Sequence, residues 1–217
     1  MKQELTELVF ILDKSGSMGG LETDTIGGFN ALLSKQKDVE GECNITTVLF
    51  DNHYELLHDR ISIEAVSPLT NKEYQVGGTT ALLDAIGRTV NKIINVMRQT
   101  ASEYQAGKVM FVIITDGYEN SSREYSHDKV RELIERQKNE YDWEFIFLGA
   151  NIDAISTAGE FGISPDRAVD YLADSKGIEL NFKVLSNSVR LYREKGRIAE
   201  NSFAEIQQDV KERGGRD

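Results

Sequence analysis

The chain has 217 residues. It predicts an α/β fold: a doubly wound, mostly parallel central sheet with one antiparallel edge strand and helices on both faces. Three observations predict this. Short apolar runs alternate with stretches of helical periodicity, the pattern of βαβ units. Val109–Thr115 is apolar without interruption, as a strand covered on both faces requires. Only Asn52 and His53 separate the strand-like Cys43–Asp51 from Tyr54–Ile63, so this pair should be an antiparallel hairpin.

Each element has its own signal. Leu8–Asp13 reads as the first strand, and Ile26, Phe29, Leu32 and Leu33 share one face of a first helix. Cys43–Asp51 is rich in β-branched residues. Leu82, Leu83, Ile86, Val90, Ile93, Ile94 and Met97 recur at helical spacing. After Val109–Thr115, a further helix shows in Val130, Leu133, Ile134 and Gln137. Trp143–Leu148 is a strand, followed by a turn and a short helix; Asn151 and Asp153, after the strand end, read as helix caps, with a place flanking the site as the alternative. Ala168–Ala173 is a weaker strand, and Ile178, Phe182, Leu185, Val189 and Tyr192 form the last clear stripe. Residues 1–196 are expected to form one domain. Residues 197–217 are a polar tail or a short docked helix, with Phe203, Ile206 and Val210 as its apolar side.

Composition narrows the function. With 40% hydrophobic and 28% charged residues the chain should fold around an ordinary core. No apolar run approaches the roughly 18 residues of a membrane helix. A net charge of −11 argues against nucleic acid and anionic membranes, which require clustered Lys and Arg. The one basic stretch holds Lys183, Arg190, Arg193, Lys195 and Arg197 and reads as a solvated helix face. Cys43 is the only cysteine, and MKQELTE is no signal-peptide start; together they suggest a reducing, cytoplasmic setting.

The chemistry gathers in FILDKSGSMGG, Phe10–Gly20. Asp13 ends one apolar strand and Asp116 another, and ligands of open α/β sheets bind at the carboxyl ends of strands. Two carboxylates at one edge repel each other unless a cation lies between them. Asp13, Ser15, Ser17, Thr79 and Asp116 offer only hard oxygens, which suit Mg²⁺, Mn²⁺ or Ca²⁺. Glycines 16, 19 and 20 allow the turn that aims Ser15 and Ser17 at one point. A phosphate-binding G-x-x-x-x-G-K-[ST] loop and a dinucleotide fingerprint are absent. His53, His58 and His127 show no metal-ligand spacing.

Asp13-Lys14-Ser15-Gly16-Ser17 resembles the D-x-S-x-S motif of von Willebrand factor type A (VWA) domains. Thr79 after Gly77-Gly78 resembles that family's isolated threonine, and Asp116 in Ile-Ile-Thr-Asp-Gly its second aspartate. The resemblance spans about residues 5–195 and implies a metal-ion-dependent adhesion site. It implies that Ser15, Ser17 and Thr79 place hydroxyls on the ion, that Asp13 and Asp116 act directly or through water, and that a partner protein's carboxylate fills an open position. Thr80 is then left to cap the following helix. Glu119, Asn120 and Ser121 are either turn residues or partner contacts. The implied protein is a non-enzymatic, metal-dependent binding module, of the stand-alone intracellular bacterial or phage kind. A Mg²⁺-dependent hydrolase or phosphatase, or a scaffold that binds no metal, are the alternatives; phosphotransferases of the haloacid-dehalogenase type carry a carboxylate where this chain has Ser15.

Overall fold

A computed structural model describes residues 2–214. Six strands form one sheet: β1 (Lys2–Asp13), β2 (Cys43–Phe50), β3 (Tyr54–Ser62), β4 (Ala106–Thr115), β5 (Glu144–Gly149) and β6 (Ala168–Asp170). Their spatial order is β3-β2-β1-β4-β5-β6. All pairs are parallel except β2 with β3, where Phe50 faces Tyr54 across the expected tight turn. Six α-helices cover the sheet: α1 (Glu22–Lys37), α2 (Leu82–Gln99), α3 (His127–Tyr141), α4 (Ala154–Glu160), α5 (Ser175–Lys195) and α6 (Ala204–Arg213).

Alternation along β1 sorts the core into two layers. Leu8, Phe10 and Leu12 face Phe29 and Leu32 of α1, Phe182 and Leu185 of α5 and Ile206 of α6. Val9 and Ile11 face Ile86 and Val90 of α2, Val130 and Ile134 of α3 and Ala158 of α4. Side chains start three of the helices. Ser126, Asp153 and Asp174 accept from the main-chain N–H groups of Lys129, Ser156 and Gly177. Helix α5 stops at Gly196, whose φ of 69° suits glycine best.

Two features differ from the local reading. The first strand begins well before Leu8, because Glu7 is buried with its charge answered. Its carboxylate accepts from Arg60 Nε at 3.0 Å and Asn44 Nδ2 at 2.8 Å. Arg60 sits at φ 51° in an irregular stretch of β3, where the pairing register shifts. Arg193 lies inside the molecule, away from the solvated face expected for it. Its guanidinium donates to the carbonyls of Gln36, Val39 and Gly41, closing the end of α1 with a fork that lysine lacks. Beyond Gly196 the chain forms α6, with Phe203 and Ile206 in the core and Arg213 bonded to Asp174 at 2.7 Å.

Candidate metal centre

Strands β1 and β4 are central neighbours, with Leu12 opposite Ile114, so Asp13 and Asp116 emerge at adjoining carboxyl ends. The order turns there, with β2 on one side of β1 and β4 on the other, which makes this the topological switch point. Asp13, Ser15 and Asp116 are buried and Ser17 is exposed, so the group opens to solvent at Ser17. Ser17 Oγ donates to Asp116 Oδ1 at 2.5 Å and lies 3.1 Å from Ser15 Oγ. Asp13 Oδ1 accepts from the Ser15 N–H at 2.7 Å, and Oδ2 from the Thr115 hydroxyl at 2.6 Å. Asp116 Oδ2 is buried and has no hydrogen-bond partner.

Four of the five expected residues therefore meet; the fifth, Thr79, makes no hydrogen bond to them. Thr79 is exposed, and its main-chain N–H donates to Asn52 Oδ1 at 3.4 Å. Thr80 is buried, and its hydroxyl points to the same place as that of Ser17. A methyl group built on Gly117 would lie 3.3 Å from Ser17 Oγ and 3.5 Å from Thr80 Oγ1. Nor does Thr80 cap α2: the N-cap position is Ala81, and no side chain of that residue bonds the helix. The path of the glycine turn decides which threonine points inward. Gly77 N donates to Lys14 O at 2.9 Å, and Gly16 N to Gly78 O at 3.2 Å. Gly78 holds φ 73° against the Asn52 side chain, a conformation and a space that exclude a Cβ.

Electrostatics favour a cation. Burial, and then the charge of Asp13, push the Asp116 carboxyl up to about 6 despite the bond from Ser17. Burial raises Asp13 also, against the bonds from Thr115 and Ser15. Among the described residues no group of three or more His, Cys, Asp or Glu side chains is placed to hold a metal. Two carboxylates and three hydroxyls are what this site offers, and an orphaned buried oxygen on Asp116 fits an ion of the hard, oxygen-seeking class. A concavity of about 840 Å³ lies at the opposite edge of the sheet. Its lysines 108 and 138 bond the carbonyls of Arg193 and Gly162.

The sequence model of the von Willebrand factor type A domain matches residues 7–180. The chain belongs to that family. No curated protein matches it. Among solved structures, the VWA domain is similar to proximal thread matrix protein 1 from the mussel byssus, in a form with a zinc-occupied MIDAS motif. The TM-score is 0.58 at 14% identity, over 87% of this chain and 46% of that one. It is similar to a mutant PilB minor pilin from Streptococcus sanguinis, with TM-score 0.60 and 12% identity over 91% and 64% of the two chains. A von Willebrand factor type A protein from Catenulispora acidiphila gives TM-score 0.55 and 14% identity over 87% and 43%. The chain spans about half the length of most of these structures. At such identities they establish the fold.

Sequence reasoning missed what braces the VWA site. The loop after Asp116 is latched to the first turn of α2 from both sides. Asn120 Oδ1 accepts from Thr80 N at 2.9 Å while Asn120 N donates to Thr80 O at 3.0 Å. Glu119 accepts from the N–H groups of Leu83, Ser121 and Ser122, at 2.9, 2.8 and 2.7 Å. Asp84 accepts in return from Arg123, Glu124 and Tyr125, each at 2.9 Å. The carboxylate and amide of Glu119 and Asn120 are thus engaged internally, which favours the turn reading of these residues. On the other flank the buried Tyr74 hydroxyl donates to Asp13 O at 2.5 Å, and Lys14 Nζ to Glu55 at 2.7 Å. Only long-range pairing reveals these roles; a run of Asp, Glu, Asn and Ser beside a turn has no distinguishing local signal.

Proposed function

We propose that this VWA domain is a divalent-metal-dependent protein-binding module. VWA domains generally mediate protein–protein interactions, commonly through such an ion. Ser15, Ser17 and Thr80 would hold the ion with their hydroxyls, and Asp13 and Asp116 with their negative charge. The bound ion supplies a positive centre for a carboxylate of the partner. Mg²⁺ or Mn²⁺ suits five oxygen donors and no nitrogen or sulfur, and zinc in the mussel protein shows that this class of site accepts other divalent ions.

The observation that carries the reading is Asp116 Oδ2. A buried carboxylate oxygen without a donor is costly, and a cation beside it removes the cost. The chain's own residues do the rest. Asp13 is clamped on both oxygens, Ser17 stands at the solvent opening, and the α2 latch holds Thr80 and Asp116 in one frame.

The proposal assigns no catalytic residue. It also places the domain in a reducing compartment, where the buried Cys43, whose thiol burial pushes up to about 12, stays an inert core group. Calorimetric titration with Mg²⁺, Mn²⁺, Ca²⁺ and Zn²⁺ tests the metal. A Glu-containing peptide immobilised on a sensor tests the carboxylate, with retention expected in Mg²⁺ and release by EDTA. No heat with any ion at millimolar concentration overturns the proposal. Turnover of p-nitrophenyl phosphate would replace it with the hydrolase reading.

A further inference from the structure

Thr115 lies outside the set of oxygens that would touch an ion, yet the geometry assigns it a part in metal binding: Thr115 is a positioning residue that holds the Asp13 carboxylate in the orientation an ion requires. The inference rests on the metal-binding reading above and adds a residue to it. Thr115 is the last residue of β4, and Asp13 the last of β1. The parallel register puts them side by side, one step beyond Leu12 and Ile114. Alternation turns both side chains to the α2 side, with Ile11 and Ile113.

The Thr115 hydroxyl has one proton, and the shortest contact takes it: Oγ1 to Asp13 Oδ2 at 2.6 Å, with both groups buried. The same oxygen accepts from the Gly117 N–H at 3.4 Å. One hydroxyl therefore ties the first aspartate to the turn that carries the second. Ser15 N holds the other Asp13 oxygen at 2.7 Å, so the carboxylate plane is fixed from two sides. Without the hydroxyl, Asp13 Oδ2 loses this donor, and the carboxylate, left to Ser15 and the Asp116 N–H, turns more freely about its terminal bond, a broad torsion with no strong preference of its own.

This predicts an effect on selectivity as well as on affinity. Mg²⁺ demands near-ideal octahedral geometry at short distances, whereas Ca²⁺ accepts irregular and longer arrangements. A loosened Asp13 should therefore cost Mg²⁺ more than Ca²⁺. Metal dissociation constants are measured by calorimetry on the full chain for Thr115→Val, Thr115→Ala and Thr115→Ser. Melting of the metal-free proteins, followed by circular dichroism, checks folding. The expected result is a Mg²⁺ affinity reduced about tenfold or more in the Val and Ala variants, Ca²⁺ affinity reduced less than about threefold, and both restored by Ser. If Thr115→Val fails to fold, Thr115→Ala carries the comparison.

Equal losses for the two ions would mean a merely structural threonine and overturn the inference. So would wild-type Mg²⁺ affinity in Val and Ala, or failure of Ser to restore it; in each case the metal-binding reading stands. A wild-type chain that takes up neither ion overturns both together.

Discussion

Ser17 and Asp116 are 99 positions apart in the chain and are joined by a 2.5 Å hydrogen bond from the serine hydroxyl to the carboxylate. Parallel pairing of β1 with β4 makes the meeting possible, since both strands deliver their last residues to the same edge. The bond uses one oxygen of Asp116 and leaves the other without a donor. The two aspartates are therefore unequal. Asp13 is bonded at both oxygens, and Asp116 at one.

Asp116→Asn should abolish most metal binding, lowering Mg²⁺ affinity about 100-fold or more, while raising metal-free stability by about 1 kcal/mol. The amide keeps the shape and removes a buried charge that faces Asp13. Asp13→Ala should lose affinity as well but gain no stability, because it strands the Thr115 hydroxyl and the Ser15 N–H. Calorimetry and urea denaturation in EDTA check both. A metal-free Asp116→Asn protein clearly weaker than wild type would contradict the argument.

The threonines should separate cleanly. Thr80→Ala should reduce Mg²⁺ affinity about tenfold, and Thr79→Ala should leave it within about twofold. Both substitutions retain the main-chain bonds to Asn120 and Asn52. Calorimetry on the pair decides; a larger loss at Thr79 would return the site to the family pattern first read from the glycines.

Acidity should stabilise the metal-free protein through Asp116. Its carboxyl is near 3.8 when exposed and about 6 in the fold, so the folded state binds the proton more tightly. The stabilising contribution is complete below the lower value and is lost as pH rises through the upper one. Asp84 and Asp174, whose carboxyls are held low by backbone N–H groups and by Arg213, pull the other way. The difference between wild type and Asp116→Asn isolates the effect. Urea midpoints measured from about pH 4 to pH 7 should fall more steeply, or rise less, in wild type. Saturating Mg²⁺ should flatten that difference, since the ion favours the deprotonated form.

Asp84→Ala should destabilise the fold by about 1–3 kcal/mol, because three N–H groups of the loop after Asp116 lose their acceptor. Metal affinity should fall with it, since the same loop carries Asp116. Urea denaturation and calorimetry provide the two readings, and loss of one without the other would show that the latch and the site are independent.

Phe203→Ala should cost about 3 kcal/mol, and deletion of the residues after Gly196 at least as much, because Phe203 and Ile206 are packed in the core against α5. Thermal melting checks this. An unchanged midpoint would make α6 an appendage.

Periodicity sufficed to foresee the alternation of strands and helices, the antiparallel hairpin at Asn52-His53 and the placement of Asp13, Ser15, Ser17 and Asp116 at strand ends. Those features depend on residues close in sequence: an apolar run of the right length, a turn too short for a crossover, and a carboxylate where the run stops. Which of Thr79 and Thr80 points inward depends on partners far along the chain. Asn52 and Asn120 hold the two main-chain N–H groups, and Gly77 and Gly78 pair with Lys14 and Gly16. The burial of Glu7 and Arg193 has the same origin, since Glu7 Oε1 and the terminal guanidinium nitrogens of Arg193 find donors and acceptors on other elements. A one-residue shift in a loop path leaves hydropathy unchanged and turns a hydroxyl from the solvent to the site. Only the packed structure, with every buried polar group seeking its partner, makes that choice.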